Sequence, residues 1–352
     1  MTRLTLRQFR TEAVVGLVLL GALAILLAVS GVNLMNVNDA FRSACKAARD
    51  CATASNPVVN VDKPLQSALP FLATIAPALV GLFLGAPLIA RELETGTFRL
   101  AWAQSVTRRR WLAVKLGVVG TAAMAFSELF TWMVDWWAGP IDAANKNRFG
   151  LANFGFHGVA PIGYAAFAFA LGATAGVLFR RTVPAMGVTL VGFAAARLAV
   201  TYWARPHFAS PARESLPLTT GSGPGFGFGG ANGASVVLNP PHVDVPNGWV
   251  YSTAVLDKAG HAPTSPYMLH ACPVLDQVSK QLAASGGLPT SGGGPAQFHG
   301  CINKLSATFH TVVTYQPAGR FWPFQWAEMG IFLAAALALC GFSYWWLRRR
   351  YA

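Results

Sequence analysis

Acid–base, metal or nucleophilic chemistry in this chain would have to come from 7 histidines, 14 acidic residues and 5 cysteines. Their spacing argues against all three. No His-Glu-x-x-His motif occurs, and none of His157, His207, His242, His261, His270, His299 and His310 stands beside carboxylates at metal-ligand spacing. His270 with Cys272, and His299 with Cys301, would suit a metal site of mixed ligands. Disulfide pairing is the simpler use of the same thiols, so no metal is expected. A Ser-His-Asp arrangement has no local signature. No Gly-x-x-x-x-Gly-Lys-Ser/Thr phosphate loop occurs, and the glycine-rich tracts near Gly221 and Gly292 lack its lysine. The chain is therefore not expected to be an enzyme, and neither a catalytic residue nor a cofactor is assigned to it.

Three other ionisable residues, Glu128, Arg197 and Glu328, matter because of where they lie, which is inside long apolar runs. The chain has 352 residues, of which 12% are charged and 53% hydrophobic, with a mean hydropathy of +0.42. Soluble proteins carry about 25% charged residues. The apolar residues gather into six runs, at 13–32, 65–90, 111–137, 158–179, 183–203 and 324–347. About 20 such residues in a helix cross about 30 Å of hydrocarbon, where lipid offers the backbone amides no partner. The first run is longer than the apolar core of a signal peptide and is read as a span.

Short loops rich in Lys and Arg resist translocation. Arg3, Arg7 and Arg10 precede span one. Arg91, Arg99, Arg108, Arg109, Arg110 and Lys115 follow span two, Arg180 and Arg181 separate spans four and five, and Arg348, Arg349 and Arg350 follow span six. These segments hold about half of the basic residues and fall on one side, so both termini are expected to be cytoplasmic. The net charge of +13 therefore reflects topology, and no nucleic-acid face is expected.

The segments 33–64, 138–157 and 204–323 are left for the outside. Cys45 and Cys51 fall in the first and Cys272 and Cys301 in the last, each expected to pair, while Cys340 in span six stays free. Residues 206–246 are rich in Pro, Gly and Ser and are expected to build no core. Residues 249–314 look folded, with short helices at 272–284 and 296–309 clipped by the second disulfide. Aromatic residues at 315–326, and Tyr344, Trp345 and Trp346 at the other end of span six, suit the two headgroup layers. The expected fold is an all-α polytopic membrane protein with six transmembrane helices. Residues 1–203 hold five spans, 204–323 form an extracytoplasmic subdomain, and 324–352 hold the sixth span and a basic tail.

At 1.5 Å per residue, Glu128 lies about 25 Å and Arg197 about 21 Å from the cytoplasmic ends of their spans, and Glu328 about one turn below the outer end of span six. All three then share the outer leaflet, where an unpaired charge is expensive. Arg197 is expected to meet Glu128 or Glu328, either as a structural tie or as part of a polar gate.

The loop at 91–110 is the most informative stretch. Glu92 and Glu94 prolong span two, Gly96 permits a break, and Thr97 can cap a short helix whose Phe98 and Trp102, four apart, share a face suited to docking on another protein. The acid-x-acid-x-Gly-Thr segment is followed by Gln104, Ser105, the Arg-rich turn with Arg109, and Trp111-x-x-x-Lys115. Together with the six-span plan and Tyr315-Gln316-Pro317, Arg320, Phe321 and Trp322, it resembles the permeases of ABC type-2 transporters, particularly those of high-GC Gram-positive bacteria. The resemblance implies an exporter's membrane subunit, moving a hydrophobic or amphipathic substrate across the bacterial cytoplasmic membrane. Its partners would be membrane lipid, a second permease copy or paralogue, and ABC ATP-binding subunits that hold the ATP and Mg. The loop would carry the ATPase's motion into the helices. Two rival readings are a membrane-anchored enzyme with an extracytoplasmic His/Cys site and a non-transporting membrane assembly protein.

Overall fold

The computed structural model describes residues 2–48, 56–96, 107–150, 153–220, 224–229, 235–285 and 295–350. The chain divides into two compact units, 1–209 together with 319–352, and 210–318. In chain order the first unit has α1 (Thr2–Ala48), α2 (Lys63–Val80), a π turn (Gly81–Gly85), α3 (Ala86–Thr95), α4 (Arg108–Asn145), α5 (Ala160–Phe179) and α6 (Thr182–Ala199), which a second π turn (Val200–Ala204) and a 3-10 turn (Arg205–His207) prolong. The second unit has β1 (Ala212–Pro217), β2 (Gly225–Gly229), β3 (Ser235–Asn239), β4 (Trp249–Asp257), α7 (Ser265–Ala271), α8 (Pro273–Ser285), α9 (Pro295–Ser306) and β5 (Phe309–Gln316). The chain then returns to the first unit as α10 (Phe321–Arg350).

Among the described residues, six helical stretches are long and apolar enough to cross a membrane: α1, α2–α3, α4, α5, α6 and α10. The local signals are clear. Thr107 caps α4 by accepting the amide of Arg110 at 3.4 Å, and Gly96 ends α3 at φ +74°, a conformation in which a side chain is strained. Helix α5 is apolar all round, and 78% of its span is buried against 11% of that of α1, so α5 is the axis of the bundle and α1 its rim. Helices α2, α3, α4, α6 and α10 all pack on it. Close approach depends on small residues: a Cβ on Gly172 would stand 2.4 Å from the carbonyl oxygen of Gly81 and 2.7 Å from the amide nitrogen of Ala86.

Successive spans along the chain alternate in direction. Gly16 meets Phe126 and Gly31 meets Trp136, so α1 and α4 run the same way. Ile89, Trp111, Leu112, Val177 and Leu347 form one core cluster, which gathers the end of α3, the start of α4 and the ends of α5 and α10. The start of α1 and the end of α10 therefore lie at the same end of the bundle as the end of α3 and the turn between α5 and α6. Val29, Val183, Val191 and Trp203 leave more than two thirds of their surface exposed, as helices facing lipid do. Of the aromatic residues before span six, Trp322 and Trp326 are exposed, whereas Phe321 and Phe324 are buried against Phe149 at 5.8 and 5.2 Å.

The second unit corrects two expectations. Its described residues contain five strands, so the chain is mostly helical but not all-α. The order β1-β5-β4 is antiparallel throughout, and β2 pairs with β3 as a separate antiparallel ribbon. Residues 206–246 do build a core. Leu218, Val236 and Leu238 are buried with Val255, Met268, Leu275, Leu305 and Phe309. The alternation Gly225-Phe226-Gly227-Phe228-Gly229 lets two rings pack on that core from one strand, and the apolar Val236 and Leu238 alternate on the facing one. After β4 the amides of His261 and Ala259 bond the Asp257 carboxylate at 2.8 and 2.9 Å and hold its pKa below the ordinary value.

Cys272 and Cys301 are bonded, with Cα atoms 5.4 Å apart, and join α9 to the start of α8. Cys340 is free. Cys45 is disulfide-bonded, and its expected partner Cys51 lies outside the described residues. The bridge from Cys272 spans 29 residues, for which the chain-entropy account gives about 3.5 kcal/mol. Cys272→Ser with Cys301→Ser should therefore make the second unit open to protease at temperatures where the parent resists. Equal digestion rates would count against that role.

Candidate functional site

Two polar centres stand out in the first unit. The first is the loop that leaves α3. Glu92 contacts Lys115 through Oε1 and Nζ, and both side chains are largely withdrawn from solvent, at 18% and 6% exposure. Lys115 also lies over the Trp111 ring, 5.0 Å from its centroid. The Glu94 carboxylate accepts from the amide of Thr182 at 3.1 Å and from its hydroxyl at 2.8 Å, where a negative charge meets the amino end of α6. Both acids thus engage neighbouring helices, Glu92 largely out of solvent and Glu94 at the exposed surface. One braces the end of α3 against α4 and the other against α6, and Gly96 releases the chain immediately beyond them. Thr97, Phe98 and Trp102 lie outside the described residues.

The second centre is built around Glu328 on α10, which is fully buried. Arg205 grips it as a fork, Nε to Oε2 at 2.8 Å and Nη2 to Oε1 at 2.9 Å. Arg197 donates through Nη1 to Oε1 at 3.1 Å, and the Tyr164 hydroxyl donates to the same oxygen at 2.6 Å. Each guanidinium is also covered by a ring: Arg197 lies 3.6 Å from the centroid of Tyr164, and Arg205 lies 4.2 Å from that of Phe154. One carboxylate therefore ties α10 to α5 and twice to α6. About one turn earlier on α10, Gln325 completes the seam by accepting the amide of Ala160 at 2.9 Å and donating to the carbonyl of Phe154 at 2.9 Å.

Of the three charges singled out in the sequence, Arg197 and Glu328 are brought together. Glu128 stands apart on α4, with Oε2 buried and without a hydrogen-bond partner among the described residues. Arg205 and Tyr164 were not anticipated. Arg205 follows the fifth apolar run and reads as the start of a loop, but the π turn carries the helix onward. In a regular α-helix, residues eight apart stand about 80° apart around the axis. The wider π turn takes up that difference and puts Arg197 and Arg205 on one face. A tyrosine in an apolar run carries no sequence signal of its polar end. Thr201, four residues before Arg205 and 3.4 Å from its Nη2, was a usable sign that the helix continues.

The pairing of Cys272 with Cys301 occupies the thiols on which an outer His/Cys centre would depend. No curated protein and no solved structure matches the chain. A family profile does, described as ABC-2 membrane transporter related, and it covers residues 17–205. The match takes in every element that builds the two centres except α10, it ends at Arg205 itself, and it spans just over half of the chain. The chain belongs to the ABC-2 membrane transporter related family.

Proposed function

We propose that the chain is the membrane-spanning permease subunit of an ATP-driven exporter of the bacterial cytoplasmic membrane, and that it does not itself hydrolyse ATP. The arginine-rich end faces the cytoplasm, where an ABC ATP-binding subunit holding ATP and Mg docks on the loop at 91–110. A second permease copy or paralogue completes the complex, and the cargo is hydrophobic or amphipathic.

The bracing of Glu92 and Glu94 carries this reading. A loop held only by its ends would yield under a push from a partner. Here the segment entering the loop is fastened to α4 through Lys115 and to α6 through Thr182, so displacement of residues 92–96 moves three helices. Arg197 and Glu328 then serve as a fixed tie within the subunit, at the far end of the same helix α6.

Glu94→Lys reverses the charge at the amino end of α6 and places it beside Arg181. The protein should still insert, because no apolar run is altered. ATPase activity of the complex co-purified with its ATP-binding subunit should fall at least severalfold, or the subunit should fail to co-purify. Full activity with full co-purification would remove the coupling role.

A further inference from the structure

We propose that Asp142 and His157, with Asp135 behind the imidazole, form a binding site for one divalent transition-metal ion, Zn2+ by the chemistry of its donors. One ligand-type atom from each of the three residues lies within 4.8 Å of the others. Helix α4 supplies both carboxylates, seven residues and so two turns apart on one face, and the turn that leads into α5 supplies the imidazole.

The histidine carries the argument. His157 is fully buried, and its Nε2 has no hydrogen-bond partner among the described residues. A buried ring nitrogen left without one demands an explanation. Its Nδ1 is in contact with Asp135 Oδ1, and the other oxygen of that carboxylate is 3.6 Å from Arg148 Nη2. A carboxylate on Nδ1 fixes the proton there and leaves the Nε2 lone pair free, which is how metal-binding histidines are held. From Nε2 to Asp142 Oδ2 the distance is 3.5 Å. That is long for a hydrogen bond, but two donors each about 2.1 Å from a tetrahedral ion stand about 3.4 Å apart. The Phe156 ring, 4.2 Å from the imidazole, keeps it from turning away. The Asp142 side chain is 17% exposed, so the remaining positions of the ion open to water.

One nitrogen and one carboxylate oxygen favour Zn2+ over the oxygen-seeking Mg2+ and Ca2+. The ion would clip the last turns of α4 to the start of α5. The rival for the same geometry is a proton, an imidazolium held between two aspartates.

The test uses the full chain in detergent micelles, dialysed against micromolar ZnCl2 and assayed for bound metal and thermal midpoint. The expected result is one retained Zn2+, a raised midpoint, and at least a tenfold loss of affinity in Asp142→Asn, with 1 mM Mg2+ unable to compete. Where Asp142→Asn does not fold, Asp142→Glu replaces it, since it keeps the charge and displaces the oxygen, and the same loss is expected. Wild-type protein that retains no Zn2+, or variants that retain it with unchanged affinity, would overturn the proposal in favour of the imidazolium.

Discussion

Glu328→Ala should leave little folded protein. Two guanidinium groups, one fully buried and one nearly so, lose their shared counter-charge while the tyrosine loses its acceptor. Breaking a buried ion pair from one side costs about 3–5 kcal/mol. Set against a total stability of about 5–15 kcal/mol, that is enough to empty the native state on modest warming. The arginines should rank unequally. Arg205 makes two bonds to Glu328 and is 1% exposed, whereas Arg197 makes one to it and is 13% exposed. Arg205→Ala should therefore lower the thermal midpoint more than Arg197→Ala. A double-mutant cycle should couple each arginine to Glu328, whereas Glu128→Gln should not rescue Arg197→Ala. If both arginine variants melt like the parent, the tie contributes nothing.

Gly172→Val should be comparably damaging for an unrelated reason. Its Cβ would be forced to within 2.4 Å of the Gly81 carbonyl and 2.7 Å of the Ala86 amide. Those neighbours are backbone, so no side chain can swing aside, and overpacking of this kind costs about 1–3 kcal/mol or more. Gly187 supplies the control, since among the described residues nothing lies within 4 Å of the corresponding position. In that helix Gly187→Ala should be neutral or raise stability by up to about 1 kcal/mol, through helix propensity alone. Measured side by side, yield and melting temperature should fall for Gly172→Val and hold or rise for Gly187→Ala. A tolerated Gly172→Val would mean that α5 does not sit against the first π turn.

The spans were legible because hydropathy is a one-dimensional signal: the run at 158–179 returns as a helix within a few residues, whereas the first, read as 13–32, continues as helix to Ala48, where apolarity no longer marks it. The charged tie was half legible. Depth along a helix can be counted, so Arg197 and Glu328 were recognisable as partners. Arg205 was not, because a π turn leaves no mark in composition. The strands at 212–239 were hidden for a related reason: glycine and proline obscure the alternation that marks a strand, and burial of Leu218 and Leu238 depends on residues more than 60 positions later. The engagement of Glu94 with Thr182 was likewise out of reach, since the two are 88 residues apart.

The π turn at Val200–Ala204 has a mechanical consequence. It holds one residue more than a regular helix would place in the same rise. If that residue were absorbed into an α-helical register, everything beyond it would rotate by about 100° and shift by about 1.5 Å. Arg205 would then be swung off Glu328, and its two bonds would be lost together. The carboxylate on α10 therefore acts as a ratchet pawl. It keeps α6 wound in its π register, and the energy of the fork sets the threshold that any helix rotation must exceed before the pawl lifts.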